Sequence, residues 1–192
     1  MGKYIYTMDG FMIDKKIILI GNGSSVLDNK YGTKIDDFDI IVRFNNFKVK
    51  GYEKNVGTKT SYWFTWCLFN VDNLINIDTI YFHSWVKDKH RDKNYIEMIK
   101  LLSNIVVVEY SLLDEIKLEI PYYPHKSFST GLIATHMMLK QYKQVYLYGF
   151  DWWRSGLKHH YGDNHTRGRL HHPKLEYQYY KKFMQLNRIV FL

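Results

Sequence analysis

Ile17-Ile18-Leu19-Ile20-Gly21-Asn22-Gly23-Ser24-Ser25 is an apolar run that breaks into a glycine turn, and the architecture of the chain follows from it. Four consecutive aliphatic residues read as a strand covered on both faces, the habit of a parallel sheet. The Gly-Asn-Gly turn then leads from strand to helix, a geometry whose backbone N–H groups are free to meet a phosphate. A second strand, at 38–43, runs into Arg43-Phe44-Asn45-Asn46. It sets amides and an arginine at the end of a neighbouring strand. Together the two elements read as half of a nucleotide-sugar site.

Outward from this segment, strands are expected at 16–21, 60–66, 77–82, 104–108, 144–149 and 187–192. Helices fit 24–30, 68–75, 91–102, 111–117, 130–141 and 173–185. Alternation of the two argues an α/β chain: a single Rossmann-like domain over 1–192, with a mainly parallel sheet of about seven strands flanked by helices. The stripe Leu175, Tyr179, Phe183 and Leu186 turns one face of the last helix to the core. There are no repeats, no low-complexity tract and no linker. The stretch 151–171, with Gly156, Gly162 and Gly168, is too long for an idle connection. A mobile lid over the site is expected there.

The 192 residues are enough to bury roughly 70% of the unfolded surface. Hydrophobic residues make up 46% and charged residues 24%, as in an ordinary globular chain. Aromatic residues reach 17%, which suits stacking on rings or sugars and equally suits compositional drift. A net charge of +8 favours anionic partners. The charges are dispersed rather than gathered in an arm, so small anions or a membrane surface fit better than nucleic acid. Cys67 is the single cysteine, which excludes an intramolecular disulfide. No N-terminal run of ~18 apolar residues and no signal peptide is present, so a cytoplasmic protein is expected, with possible peripheral membrane contact.

Gly21-x-Gly23-x-Ser25 lacks the third glycine of the dinucleotide fingerprint, and the same glycines would serve a bare turn equally well. Asp37-Phe38-Asp39 has the form of a metal-binding D-x-D pair. Here it precedes a strand instead of following one, so a turn role is expected and no metal. Ser129-Thr130-Gly131 opens the helix 130–141. Ser129 suits an N-cap, and a helix start bearing hydroxyls and a glycine also receives a carboxylate or phosphate. Five histidines fall within 159–172: His159, His160, His165, His171 and His172. Acid–base use suits them better than zinc, because no cysteine is near and H-E-x-x-H is absent. His171 stands just ahead of a helix opened by Pro173, whose positive end keeps the ring neutral, as a general base requires. Glu176 could orient or balance it. His160, beside Tyr161, suits the opposite task of donating to a leaving phosphate.

Four separated segments, in order over residues 19–176, resemble the sialyltransferases of glycosyltransferase family 29. Gly21-Asn22-Gly23, Ile35-Asp36, Asp39, Arg43-x-Asn45, Gly51 and Val56-Gly57-Thr58-Lys59-Thr60 are similar to the family's large motif. Ser129-Thr130-Gly131 and Tyr148-Gly149-Phe150 resemble the small motif, His159-His160-Tyr161 the third, and His171-x-x-x-x-Glu176 the last. Family 42 shares the G-N-G, R-x-N, S-G and H-Y features. The V-G-T-K-T run and the late H-x-x-x-x-E favour family 29.

The resemblance implies inverting transfer of sialic acid from CMP-sialic acid to a sugar hydroxyl, such as that of a galactose-terminated glycan, without a metal or other cofactor. Asn22 and Asn45 would hold the nucleotide phosphate and its neighbourhood. Ser129, Thr130 and Gly131 would line the cytidine and carboxylate region, joined at the donor by Gly21, Gly23, Gly149, Phe150, Tyr161 and Glu176. His160 would meet the leaving phosphate, and His171 would deprotonate the acceptor. Family members usually carry a membrane anchor and a disulfide between the large motifs. Neither is seen, so a short soluble bacterial or viral form is implied. Two alternatives stay open: another CMP-linked acidic sugar, Kdo-like, as donor, and a non-catalytic basic module that binds glycans or nucleic acid.

Overall fold

The computed structural model describes residues 12–67, 77–83, 104–120, 127–151, 161 and 171–192. Seven strands form one sheet: β1 (Ile17–Ile20), β2 (Ile40–Phe44), β3 (Tyr62–Thr65), β4 (Thr79–Phe82), β5 (Ile105–Val107), β6 (Val145–Tyr148) and β7 (Ile189–Phe191). Their order is β5-β4-β3-β2-β1-β6-β7, and every neighbouring pair is parallel. The chain therefore walks outward from β1 to β5, returns to the other side of β1 as β6, and ends at the opposite edge. The direction of winding switches between β1 and β6, and ligands of open α/β sheets bind at the carboxyl ends of such a pair.

Five helices are described: α1 (Gly32–Asp36), α2 (Glu53–Val56), α3 (Tyr110–Glu119), α4 (Thr130–Gln141) and α5 (Pro173–Gln185). Strand alternation divides their burial between the two faces of the sheet. Ile17, Leu19, Val42 and Phe44 point to α3, α4 and α5, where Leu112, Ile116, Leu132, Met138, Tyr179 and Tyr180 meet them. Ile18, Ile20 and Ile41 point to the other face, against Val26, Ile35 and Val56. β1 and β2 are buried throughout because both faces are covered. Helix α4 is wedged between sheet, α3 and α5, so eight of its residues are buried. Truncating one of them, as in Leu132→Ala, costs about 2–5 kcal/mol in transfer and cavity terms.

Much of the aromatic content goes into this core. Phe64 stacks on Tyr81 at 4.4 Å, Phe44 meets Phe150 edge-on at 5.7 Å, and Phe150 meets Tyr180 at 6.0 Å. All seven expected strands are present; β2 starts two residues late and ends one residue beyond its expected limit, β4 is shortened only at its start, and the others are trimmed at both ends. The helix expected at 24–30 is a 3-10 turn at Ser24–Asp28. The short helices α1 and α2 lack the length for a periodic signal and escaped the sequence reading. Leu186 departs from its stripe: it is the C-cap of α5 and is 60% exposed. The helices expected at 68–75 and 91–102, and the lid apart from Asp151, Tyr161 and His171, lie outside the described residues. Among the described residues, no helix is long and apolar enough to cross a membrane.

Candidate functional site

At the switch point the glycine turn is committed to the protein itself. The Gly21 N–H donates to Tyr148 O at 2.7 Å, and the Gly23 N–H to Gly149 O at 3.0 Å. The Ser25 N–H donates to the Asp151 carboxylate at 2.8 Å. These three N–H groups are not free for a phosphate, which corrects the sequence reading of the turn. A buried side-chain carboxylate, Asp151, fills the anion position at the start of the 3-10 turn. The glycines are required by contact. A Cβ on Gly21 would stand 2.4 Å from Gly149 O, and one on Gly23 would stand 1.7 Å from Asp151 Oδ1. Gly149 itself has φ +70°, the left-handed region that favours glycine.

Asn22 and Asn45 do reach the carboxyl edge. Asn22 Nδ2 donates to Phe44 O at 3.1 Å, tying the turn to the end of β2. Asn45, with φ 46°, leaves β2 in the left-handed conformation that asparagine tolerates best among non-glycine residues. Its Nδ2 donates to Thr130 Oγ1 at 3.1 Å. Both Oδ1 atoms are buried with no hydrogen-bond partner among the described residues. Unpaired buried acceptors are uncommon.

The start of α4 offers the anion receptor that the glycine turn does not. Ser129 is its N-cap, and Ser129 Oγ accepts the Leu132 N–H at 3.1 Å. The N–H groups of Thr130 and Gly131, in the first turn, have no acceptor within the helix. Glu176, fully buried in the first turn of α5, accepts the Ser129 N–H at 2.9 Å and the Ser129 hydroxyl at 2.6 Å. Its carboxylate thus joins the small and last motifs instead of lying open to a donor. His171 is anchored beside it: Nδ1 is 2.7 Å from Ser127 O. A carbonyl only accepts, so Nδ1 carries the hydrogen and the neutral ring has its lone pair on Nε2. That is the tautomer a general base needs.

Several signature residues build the scaffold. The Arg43 guanidinium is fully buried and donates to Val56 O, Gly57 O and Lys59 O at 2.6, 3.4 and 3.0 Å. Burial lowers its pKa to about 10. The Asp36 carboxylate accepts the Thr58 and Lys59 N–H groups at 2.9 and 3.0 Å. Val56-Gly57-Thr58-Lys59-Thr60 is therefore a loop clamped from both sides. Phe150, 2% exposed, is a core ring, and Gly131 makes room for its edge: a Cβ there would stand 2.9 Å from Phe150 Cε1. Tyr161 is 3% exposed; its hydroxyl donates to Lys48 O at 2.5 Å and its N–H to Asn22 O at 2.9 Å. Burial raises its pKa. The bond to Asn22 O ties Tyr161 to the glycine turn. Asp39 accepts the Lys16 N–H at 2.8 Å at the amino end of β2, the wrong end of the sheet for the site. His159, His160 and His165 lie outside the described residues.

Two residues of the site escaped the sequence reading. His83 follows β4 at the carboxyl edge, is 1% exposed, and places Nε2 3.0 Å from Thr130 Oγ1. Asp151 follows β6. Each is a polar residue at the carboxyl end of an apolar strand, a signal that was legible. Asp151 also borders a cavity of about 370 Å³ with Ser25, Asp28, Asn29, Tyr177 and Leu192, which does not include Asn22, Asn45 or Thr130. Among the described residues, no three His, Cys, Asp or Glu side chains are grouped to hold a metal ion.

A parallel sheet with its polar groups gathered beside the switch point is the architecture of the Rossmann-like α/β proteins. Within that class, residues 15–67 match the model of glycosyltransferase family 29 (sialyltransferase). The human CMP-N-acetylneuraminate-beta-1,4-galactoside alpha-2,3-sialyltransferase is 47% identical over 47 residues, 24% of this chain and 12% of that protein. The human type 2 lactosamine alpha-2,3-sialyltransferase is 42% identical over 48 residues, 25% of this chain and 14% of that protein. The chain thus aligns with only a small part of these relatives. The fold likeness is broader. A crystal structure of a mammalian sialyltransferase superposes with a TM-score of 0.76 at 18% identity, over 93% of this chain and 68% of that one. A mammalian sialyltransferase in complex with Gal-beta-1-3GalNAc-ortho-nitrophenol gives 0.70 at 17% identity, over 93% and 69%.

Proposed function

We propose that this chain is a sialyltransferase that moves sialic acid from CMP-sialic acid to a sugar hydroxyl of a glycan, with inversion and without a metal. The observation that carries the reading is the anchoring of His171 on Ser127 O, two residues ahead of the α4 N-cap, in a chain with a family 29 segment. Nε2 takes the proton of the acceptor hydroxyl as its oxygen bonds to the anomeric carbon. The bond from that carbon to the phosphate oxygen breaks, and CMP departs with the electron pair. The N–H groups at the start of α4 stabilise the donor's anionic groups. His160 is the candidate donor to the leaving phosphate. A single phosphate demands a metal less than a diphosphate does. The matched human protein is named for a beta-1,4-galactoside, so galactose-terminated glycans are the first acceptors to test.

A turnover assay with CMP-sialic acid and a panel of galactosyl acceptors tests this, with hydrolysis followed alongside. Transfer that survives EDTA and falls about 10²–10⁴-fold in His171→Ala is the expected result. Near wild-type transfer by His171→Ala overturns the base assignment. Loss with EDTA and rescue by a divalent ion overturns the metal-free mechanism. Calorimetry should find CMP bound more tightly than UMP or GDP; UMP binding without CMP binding sinks the donor assignment.

A further inference from the structure

Asn45, Thr130 and His83 form a continuous hydrogen-bonded row across the carboxyl edge, from β2 through the first residue of α4 to the end of β4. Nδ2 of Asn45 lies 3.1 Å from Thr130 Oγ1, and Thr130 Oγ1 lies 3.0 Å from His83 Nε2. Thr130 is 4% exposed and His83 1% exposed, so the bond between them is removed from competing solvent. The middle member is a hydroxyl, with one hydrogen to give and lone pairs to receive. The row therefore has a direction.

With a lone pair on His83 Nε2, Thr130 donates to it and accepts from the Asn45 amide. Asn45 then turns its Oδ1 away from the row, and that oxygen is buried with no partner among the described residues. With a hydrogen on Nε2 the row reverses. His83 donates to Thr130, Thr130 donates to Asn45 Oδ1, and the amide presents its NH2 instead. A phosphate carries only acceptors at neutral pH and needs that second state, whereas a ligand hydroxyl can meet either.

We propose that His83 is a positioning residue that, through Thr130, sets which end of the Asn45 amide meets the donor, with Nε2 bare in the free protein and bearing hydrogen when the nucleotide phosphate is bound. The proposal rests on the CMP-sugar reading above. The change is a tautomeric exchange between the two ring nitrogens, so no net proton is gained or lost. Nothing in the sequence motifs assigns His83 a role, and its ring acts through two other side chains.

The test uses the intact chain labelled with ¹⁵N-histidine, the His83 signals being identified by their loss in His83→Gln. In the free protein Nε2 should resonate as an unprotonated nitrogen and should move to the protonated position on saturation with CMP. Cytidine, which lacks the phosphate, should leave it in place. Calorimetry supplies the second arm. His83→Phe should weaken CMP about tenfold or more, the loss expected when a hydrogen bond to a charged group fails. Cytidine binding should change less than threefold. His83→Gln, whose amide can serve in either direction, should restore CMP binding to within about threefold of wild type. A free-state Nε2 that already carries hydrogen overturns the proposal, whether or not CMP binds. So does a folded His83→Phe with an unchanged ratio of CMP to cytidine affinity, or His83→Gln no better than His83→Phe. Failure of the wild type to bind CMP overturns the donor reading instead, and the free-state signal still decides the direction of the row.

Discussion

Glu176 and Ser129, 47 residues apart, share two hydrogen bonds that hold the start of α5 against the start of α4. The carboxylate takes both the N–H and the hydroxyl of the N-cap, and the hydroxyl still accepts from Leu132 N. His171 hangs on Ser127 O from the same junction. The position of the candidate base is thus fixed by a contact between two helix ends.

Glu176→Ala leaves the part-buried Ser129 N–H and hydroxyl without their acceptor. It should cost about 2–3 kcal/mol in urea unfolding, because bonds to a charged acceptor are worth more than neutral ones. Transfer should fall further than that loss explains, since His171 is freed from its place. Full activity in a folded Glu176→Ala protein would show that this junction does not position the base.

Gly23→Ala drives a methyl group into the Asp151 carboxylate and toward Gly149 O, at 1.7 and 2.6 Å. The backbone oxygen has little room to retreat, so β1 and β6 must separate at their carboxyl ends. A clear drop in melting temperature, or insoluble expression, is expected. An unchanged melting curve would contradict the packing of the turn.

Arg43→Lys keeps the charge and loses the planar fork that reaches three carbonyls. Destabilisation of about 2–4 kcal/mol is expected from unmet buried acceptors. CMP affinity, measured below the unfolding range, should change little, because the hydrogen bonds of the guanidinium go to the 56–60 loop. A large affinity loss with intact stability would return Arg43 to the binding site.

His136 links three helices. Its Nδ1 lies 2.8 Å from Tyr179 Oη on α5, and its Nε2 lies 3.2 Å from Glu115 Oε2 on α3, which Lys140 also engages. Burial holds its pKa below the ordinary 6.5, more than nearby Glu115 and Glu119 raise it. The unfolded chain therefore binds more protons as pH falls below 6.5, and stability should decline from neutral pH toward pH 5. Glu115 adds to the trend at lower pH. Burial raises its pKa, but the bonds to Lys140 and His136 together bring it below the ordinary value, and that stabilisation is lost on acidification. Melting temperatures of wild type and His136→Gln across this range should converge in acid. Parallel curves would remove His136 from the account.

The sheet was legible because its message is local. Ile17 to Ile20 and Ile40 to Phe44 are apolar on both faces, and only a doubly covered parallel strand hides such runs. The N-cap Ser129 and the Pro173 start of α5 were legible for the same reason, since capping chemistry acts within one turn. α1 and α2, at five and four residues, are too short to carry a period.

Roles were harder to read than elements. Arg43, Glu176 and Phe150 look like ligand residues in a row of letters, and the fold spends them on the loop, the helix junction and the core. His83 and Asp151 look like strand ends, and the fold turns one toward Thr130 and the other into the glycine turn. By itself the sequence determined a parallel α/β sheet, a glycine turn after β1, a helix start at Ser129 and a histidine ahead of α5. The tertiary structure decided which polar atoms are satisfied internally and which are not. Hydrogen-bond satisfaction depends on partners 22 to 126 residues away, and such distances carry no trace in local pattern.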